Sequence, residues 1–246
     1  MVEETRRLLE HWRPDEPLDD FARRVQEEGL LGNSTAYRTR DVVRRVFAPR
    51  FLRPTHKPAE ILQRIIMNGL PGRVFTELLF IFTARQDPLV YDFTIREFWL
   101  AVRRGRSVMD TDPVMSFLSE AHYDGRLDNQ WSEKVSVRIA RCVLGLFRDV
   151  GFLREVVRGR REIVDYRMSD EGVALLARDL NESSVTDSSL CDHPDWGLFG
   201  MSPAEVMERL NGIGEHRGVI VQSAGSVVHF TWTVKSIGEL IDVLAR

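Results

Sequence analysis

The chain has 246 residues, with 34 basic and 37 acidic side chains and a formal net charge of −3. This length can form one domain of ordinary size plus a smaller one, or two to three small ones, with a sizeable apolar core, so a disulfide or metal staple is not required. A protein whose whole surface binds nucleic acid is usually basic overall. The charge therefore argues against that class and favours a localised anion-binding face.

The sequence indicates a soluble, cytoplasmic protein with no membrane contact. Its two cysteines form no CxxC pair, and the helical position of Cys142 predicts a buried thiol. The N-terminus has no signal-peptide pattern, and the most apolar run, Leu78 to Phe82, is far shorter than the ~20 residues of a membrane-spanning helix.

Short helices are predicted for the first fifty residues. Apolar spacing indicates helices over residues 1–13 and 18–29, and a third that begins at Ser34 or Thr35 and is ended by Pro49. The third helix belongs to a basic block, because residues 32–64 hold eight basic and two acidic side chains. Up to six of its arginines fall within sixteen residues.

The helical pattern continues in the next part of the chain. Val74 to Ala84 is too long and apolar for a typical strand and predicts a buried helix. Residues 89–93 fit either a helical turn or an extended piece, and Thr94 is expected to cap a helix through Val102. These elements predict an N-terminal helical domain over residues 1–125.

The stretch from Trp131 to Leu180 predicts a recognisable order of elements. An amphipathic helix runs from Ser132 to Gly151 and is followed by a strand, a polar arginine-rich turn, a returning strand and a helix capped by Ser169. The strands are expected over 152–157 and 163–168, with the turn over 158–161. This is the order of a winged helix-turn-helix, which binds duplex DNA, so we predict a winged-helix-like domain over 126–182.

The last part of the chain predicts a separate small module. Residues 181–195 are rich in Ser, Asp and Asn and are expected to form a mobile linker or long loop. Residues 196–246 then predict a helix, a hairpin over 218–233 and a final helix. The expected fold is mainly α, with a helical bundle-like core, winged helix-turn-helix elements and a small C-terminal helix-hairpin-helix module.

Two basic blocks are candidates for contacts with DNA phosphates. Residues 132–161 hold eight basic and three acidic side chains and include a helix N-terminus, which favours anions. The alternative is a solvated basic face paired with the acidic segments nearby. The candidate DNA-binding residues are Ser34, Arg38, Arg40, Arg44, Arg45, Arg50, Ser132, Lys134, Ser136, Arg138, Arg141, Arg158, Arg160 and Arg161.

Catalytic chemistry has little support in the sequence. The six histidines show no HxH or HExxH spacing, and neither a phosphate-binding loop nor a GxSxG motif occurs. The only local cluster, Asp192-His193-Pro194-Asp195, consists of residues that are common in loops. We therefore expect no enzymatic activity, no catalytic residues, no cofactor, no metal and no small-molecule substrate.

Three parts of the sequence resemble the BrxA family of BREX bacteriophage-exclusion systems. They are the run from Asn33 to Arg40 with the arginines that follow it, the Ser132 to Leu153 segment, and the C-terminal module around Thr231-Trp232-Thr233. The resemblance extends over nearly the whole chain. It implies a largely helical fold with winged-helix features and a portion similar to the NusB antitermination protein. It also implies a non-enzymatic accessory role and DNA binding in phage defence.

The expected function is therefore that of an accessory protein that binds double-stranded DNA and works with other BREX proteins. One alternative is an interaction scaffold that docks other defence components without touching DNA. A second is an autonomous transcriptional repressor, which would be a dimer that binds two spaced half-sites.

Overall fold

The chain is mainly helical in its computed structural model. The structure describes residues 2–32, 34–127, 131–157, 159–214, 217–224 and 227–246. Two compact units form: unit 1 comprises residues 1–86, 168–193 and 202–246, and unit 2 comprises residues 87–167 and 194–201. These units differ in extent from the predicted domains 1–125, 126–182 and 196–246.

The helices and strands follow in this order. Unit 1 begins with α1 Val2–His11, α2 Leu18–Glu27, α3 Ala36–Asp41, a π-helical segment Val42–Phe47, α4 Ala48–Phe51, α5 Lys57–Met67 and α6 Gly72–Gln86. Unit 2 contains α7 Pro88–Phe93, a π-helical segment Thr94–Phe98, α8 Trp99–Arg103, β1 Val108–Met109, α9 Asp112–Tyr123, α10 Glu133–Val150, β2 Leu153–Val157 and β3 Arg160–Ile163. The chain continues with α11 Asp170–Glu182, α12 Asp187–Leu190, a 3₁₀ segment Pro194–Phe199, α13 Pro203–Ile213, β4 Val219–Ala224, β5 Val227–Trp232 and α14 Ile237–Leu244.

Unit 1 is built around two buried helices, α6 and α11. The apolar run from Val74 to Ala84 forms a buried helix as predicted. Ser169 caps α11 as expected, accepting a hydrogen bond from Gly172 N–H at 3.0 Å. Its own N–H donates to the buried carboxylate of Glu77 on α6 at 2.8 Å, which fixes the start of α11 on α6.

The C-terminal elements belong to unit 1. Arg178 on α11 donates a hydrogen bond to the carbonyl of Lys235 at 2.6 Å, just before α14. Strands β4 and β5 pair antiparallel, with Val219 opposite Trp232. Within the described ranges, no helix combines the length and the apolar character needed to cross a bilayer.

Unit 2 joins helices to a small antiparallel sheet around an aromatic core. The strand order is β1-β3-β2, so β2 lies at one edge of the sheet. Phe98 packs edge-to-face on Phe147 and stacks on Phe152, with ring centroids 4.8 and 5.5 Å apart. Gly151 ends α10 in the left-handed conformation at φ 100°, which lets the chain turn directly into β2.

Two predicted helix boundaries were wrong. Pro49 does not end the third helix, because helical structure continues through a π-helical segment into α4. Thr94 lies inside the helical run that begins at Pro88, where its hydroxyl donates to the carbonyl of Val90 at 2.6 Å. Asp87 caps that run instead and accepts from Val90 N–H. Pro49 lies in the first turn of α4, where a proline is tolerated.

Three further expectations need correction. Residues 181–195 are not a mobile linker, because α12 forms there and Leu190 and Asp195 are buried. The returning strand covers Arg160–Ile163, so it begins three residues and ends five residues earlier than predicted. Cys142 is exposed, since it lies about 100° around α10 from the buried Val143.

Candidate nucleic-acid interface

The second basic block is centred on the exposed face of α10. Ser132 takes the N-cap position, and its carbonyl accepts hydrogen bonds from the N–H groups of Val135 and Ser136. Apolar side chains of the opposite face, among them Val143 and Phe147, bury the helix in unit 2. The helix start therefore leaves backbone N–H groups and a partial positive charge beside the basic block.

Three cations of this block share one face of α10. Lys134, Arg138 and Arg141 are exposed and follow one another at steps of four and three residues, the spacing of neighbours along a helix surface. They line a shallow groove together with Glu133, Val135 and Val137. None of the three forms an ion pair with a described residue. Ser136, also predicted, is half-buried at the start of the same helix.

The hairpin that follows α10 brings two more predicted residues into unit 2. Arg160 is exposed and lies opposite Val157, and Arg161 is half-buried opposite Glu155. Both belong to strand β3 and not to the turn in which the sequence placed them. Arg158 lies outside the described residues.

Glu155 holds the turn of the hairpin through its carboxylate. The Gly159 N–H donates to this carboxylate at 3.2 Å and, with the positive charges of Arg161 and Arg148, lowers the pKa of Glu155. Arg148 is bound more strongly by its neighbour Asp149, whose hydrogen bond is the main cause of the raised pKa of Arg148. The carboxylates of Asp149 and Glu155 are therefore already bound by groups within unit 2.

The first basic block lies in unit 1 and is largely neutralised by acidic partners. Arg44 contacts Asp19 on α2 at 2.6 Å, and Arg45 contacts Asp41 one turn earlier at 3.1 Å. Arg38 contacts Glu4 on α1 at 3.4 Å. All three pairs are exposed, so each stabilises little but lowers the positive potential of this surface.

The remaining predicted residues of this block differ in their surroundings. Thr35 caps α3 by accepting from Arg38 N–H at 3.3 Å, whereas Ser34 donates its hydroxyl to the carbonyl of Leu31 at 3.1 Å. Arg40 is exposed and lines a groove between α2 and α3, and Arg50 is half-buried. Asn33, part of the family-like run, lies outside the described residues.

The sequence interpretation missed the exposed apolar residues of unit 2. Val156 and Val157 are 51% and 60% exposed at the end of the hairpin, and Tyr123 at the end of α9 is 89% exposed. A strand pattern rich in valine predicts burial, so the sequence offered no signal for them. Among the described residues, no three His, Cys, Asp or Glu side chains are grouped as metal ligands would be.

Comparison with known protein families decides the relationship of the chain. A family model described as BrxA matches residues 1–179. The chain belongs to the BrxA family. Membership of the BrxA family makes it a phage-defence protein of a BREX system. The match contains every candidate DNA-binding residue but ends before the C-terminal hairpin, where the sequence resemblance was also expected. Comparison with curated proteins finds no match to the chain.

Proposed function

We propose that this BrxA-family protein is a non-enzymatic, DNA-binding accessory component of its BREX system. It acts in the cytoplasm and contacts duplex phosphates mainly through α10 and the β2–β3 hairpin of unit 2. The first basic block adds weaker contacts. No sequence readout is required for this activity, because contacts to phosphates supply affinity on any duplex.

The order of elements in unit 2 supports this proposal. Two helices, α9 and α10, are followed by an antiparallel hairpin, and the second strand of this hairpin, β3, also pairs with the short β1. We interpret this order as a winged helix-turn-helix, in which α10 would be the second helix. In such motifs the second helix enters the major groove by its N-terminal residues.

The observation that carries the proposal is the set of cations on α10 without described acidic partners. Lys134, Arg138 and Arg141 point along one exposed face that starts at the positive end of the helix. A line of phosphates needs this combination of spaced cations and free backbone N–H groups. Their paired counterparts in the first block, such as Arg44, must exchange a carboxylate for a phosphate.

The second candidate function is an interaction scaffold for other BREX proteins. The ion pairs of the first basic block favour it, because they indicate a surface that already meets carboxylates, as an acidic protein partner would offer. Docking to other BREX proteins through unit 1 is compatible with DNA binding through unit 2.

Competition between binding partners tests the proposal. The purified protein should bind a labelled random-sequence duplex of about thirty base pairs, and unlabelled duplex of unrelated sequence should displace it completely. A scaffold without a DNA-binding surface would not bind the labelled duplex. It would bind other BREX proteins, and excess DNA would not displace them. That second result would contradict the proposal.

A further inference from the structure

The β2–β3 hairpin extends beyond the sheet that supports it. Strand β1 pairs only with Arg161 and Glu162 of β3. Leu153 at the start of β2 is buried, whereas every later residue of that strand is exposed. The outer half of the hairpin is thus a two-stranded arm with solvent on both faces.

The end of this arm carries two adjacent apolar side chains. Val156 and Val157 are 51% and 60% exposed, although successive residues of a regular strand point to opposite faces. An irregularity in the strand pairing lies between Glu155 and Val157, and such a bulge re-aims the side chains beside it. Two large exposed apolar groups at one tip are costly in water and indicate a site of contact.

The charges around the tip indicate what it contacts. Arg160 lies directly opposite Val157 and forms no ion pair with a described residue. The acidic residues of the arm are occupied, since Glu162 pairs with Arg154 at 3.0 Å and Glu155 accepts from the hairpin turn. An apolar tip beside the Arg160 cation is complementary to a DNA groove, where sugars and the faces of unstacked bases are apolar and the walls are phosphates.

We propose that the hairpin tip enters the minor groove of duplex DNA, where Val156 and Val157 wedge against a base step and bend the duplex. This inference rests on the proposed function, in which α10 lies in the major groove. Only Gly151 and Phe152 separate α10 from β2, so the arm and the proposed recognition helix form one continuous segment of unit 2. Apolar wedges of this kind kink DNA by about 20–90°.

The test uses energy transfer between dyes on the two ends of a random-sequence duplex of about thirty base pairs, together with binding anisotropy. The wild-type protein should raise the energy transfer, and netropsin, which fills the minor groove, should weaken its binding. The V156S/V157S variant should bind the duplex about tenfold or more weakly than the wild type does. When it saturates the duplex, the energy transfer should stay at the value of the free duplex. Because both side chains are exposed, the variant should retain the wild-type melting temperature.

The matched control is M67S, which removes an apolar side chain from α5 in unit 1 that is more exposed than either valine. It should bind and bend DNA as the wild type does. Wild-type binding without bending and without netropsin competition would overturn the wedge and leave the proposed DNA binding intact. A V156S/V157S variant that binds and bends DNA like the wild type would also overturn the wedge. It would indicate that the two valines contact a protein partner instead. Absence of wild-type binding would overturn both proposals.

Discussion

The two basic blocks differ in the ion pairs that their side chains form, although they hold the same number of basic residues. Each block holds eight basic residues in the sequence. The structure gives Arg38, Arg44 and Arg45 a carboxylate within 3.4 Å, and gives Lys134, Arg138 and Arg141 none among the described residues. Sequence spacing could not predict the pairs of Arg38 and Arg44, because Glu4 and Asp19 come from α1 and α2 and meet these arginines only in the fold.

Two glycines should respond in opposite ways to substitution by alanine. A Cβ on Gly172 would collide with the Glu77 carboxylate and lie 2.9 Å from the Ser169 hydroxyl, whereas a Cβ on Gly145 meets nothing within 4 Å. We expect G172A to lower the free energy of unfolding by about 1–3 kcal/mol through this overpacking. G145A should raise it by up to about 1 kcal/mol, because alanine favours the helix.

Chemical denaturation of both variants measures the two changes. Each glycine lies within a helix, so the pair separates the helix preference of alanine from the space available to it. A G172A variant as stable as G145A would mean that the close approach between α6 and α11 is not as described.

The position of Cys142 illustrates what helical periodicity predicts and where it fails. The three- and four-residue spacing correctly identified the buried face of α10, including Val143, Leu146, Phe147 and Val150. Cys142 fits the same spacing from Ile139, yet it falls outside the buried stripe and is exposed. The spacing of apolar residues shows which way the buried face of a helix points. The width of that buried face depends on how much of the rest of the unit covers the helix.

Within the helix α10, the exposed thiol of Cys142 can be used as a probe of contact with DNA. Cys142 follows Arg141 and lies one turn from Arg138, on the exposed face proposed to meet DNA. A saturating duplex should therefore slow the alkylation of Cys142 by N-ethylmaleimide several-fold. Mass spectrometry after short pulses of reagent measures the rate.

Cys191 serves as the internal control for this experiment. It is buried, and desolvation together with the charge of Asp192 raises the pKa of its thiol to about 11, so it should react only when the protein unfolds. Equal alkylation rates of Cys142 with and without bound duplex would remove the exposed face of α10 from the interface.

The start of α13 should give stability a defined pH dependence. The backbone N–H and hydroxyl of Ser202 donate to the Glu205 carboxylate, each at 2.7 Å, and lower its pKa. Because the pKa is lowered on folding, the charged form stabilises the protein above the ordinary glutamate value of about 4.3. This contribution, up to about 1 kcal/mol at such an exposed cap, should disappear as the pH falls through the lowered folded value.

Comparison of E205Q with the wild type isolates this effect. The amide retains an acceptor for Ser202 but cannot titrate, so the two proteins should differ in free energy of unfolding at pH 7 and converge in acid. A difference that stays constant between pH 7 and pH 3 would contradict the role of the Glu205 charge.

Element types were more predictable than their boundaries. Caps at Thr35, Ser169 and Ser236 were readable because a side-chain oxygen beside a helix start has one local partner. Pro49 and Thr94 misled the interpretation, since π-helical segments change the hydrogen-bond register in their neighbourhoods. Such segments depend on packing around the helix and leave no reliable local pattern.

At the scale of the whole molecule, the chain order hides the division into units. Residues 168–193 and 202–246 return to unit 1, while residues 194–201 belong to unit 2. The polar composition of residues 181–195 indicates a linker, yet the buried Leu190 and Trp196 anchor this part of the chain. Composition reports solvent preference along the sequence and cannot reveal which distant segment will cover a given side chain.

The central claim is that the exposed face of α10 supplies the main phosphate contacts. Its most direct test is the salt dependence of duplex binding, measured by fluorescence anisotropy for the wild type, K134Q/R138Q/R141Q and R38Q/R44Q/R45Q. Both variants lose three positive charges, so they are matched in net charge. The wild type should show log affinity that falls linearly with log salt. The α10 variant should reduce this slope by ~0.9 for each phosphate that its side chains no longer neutralise.

The unit 1 variant should change the slope less, because its arginines already bind carboxylates. An unchanged slope for K134Q/R138Q/R141Q, or no binding of the wild type even at low salt, would contradict the account.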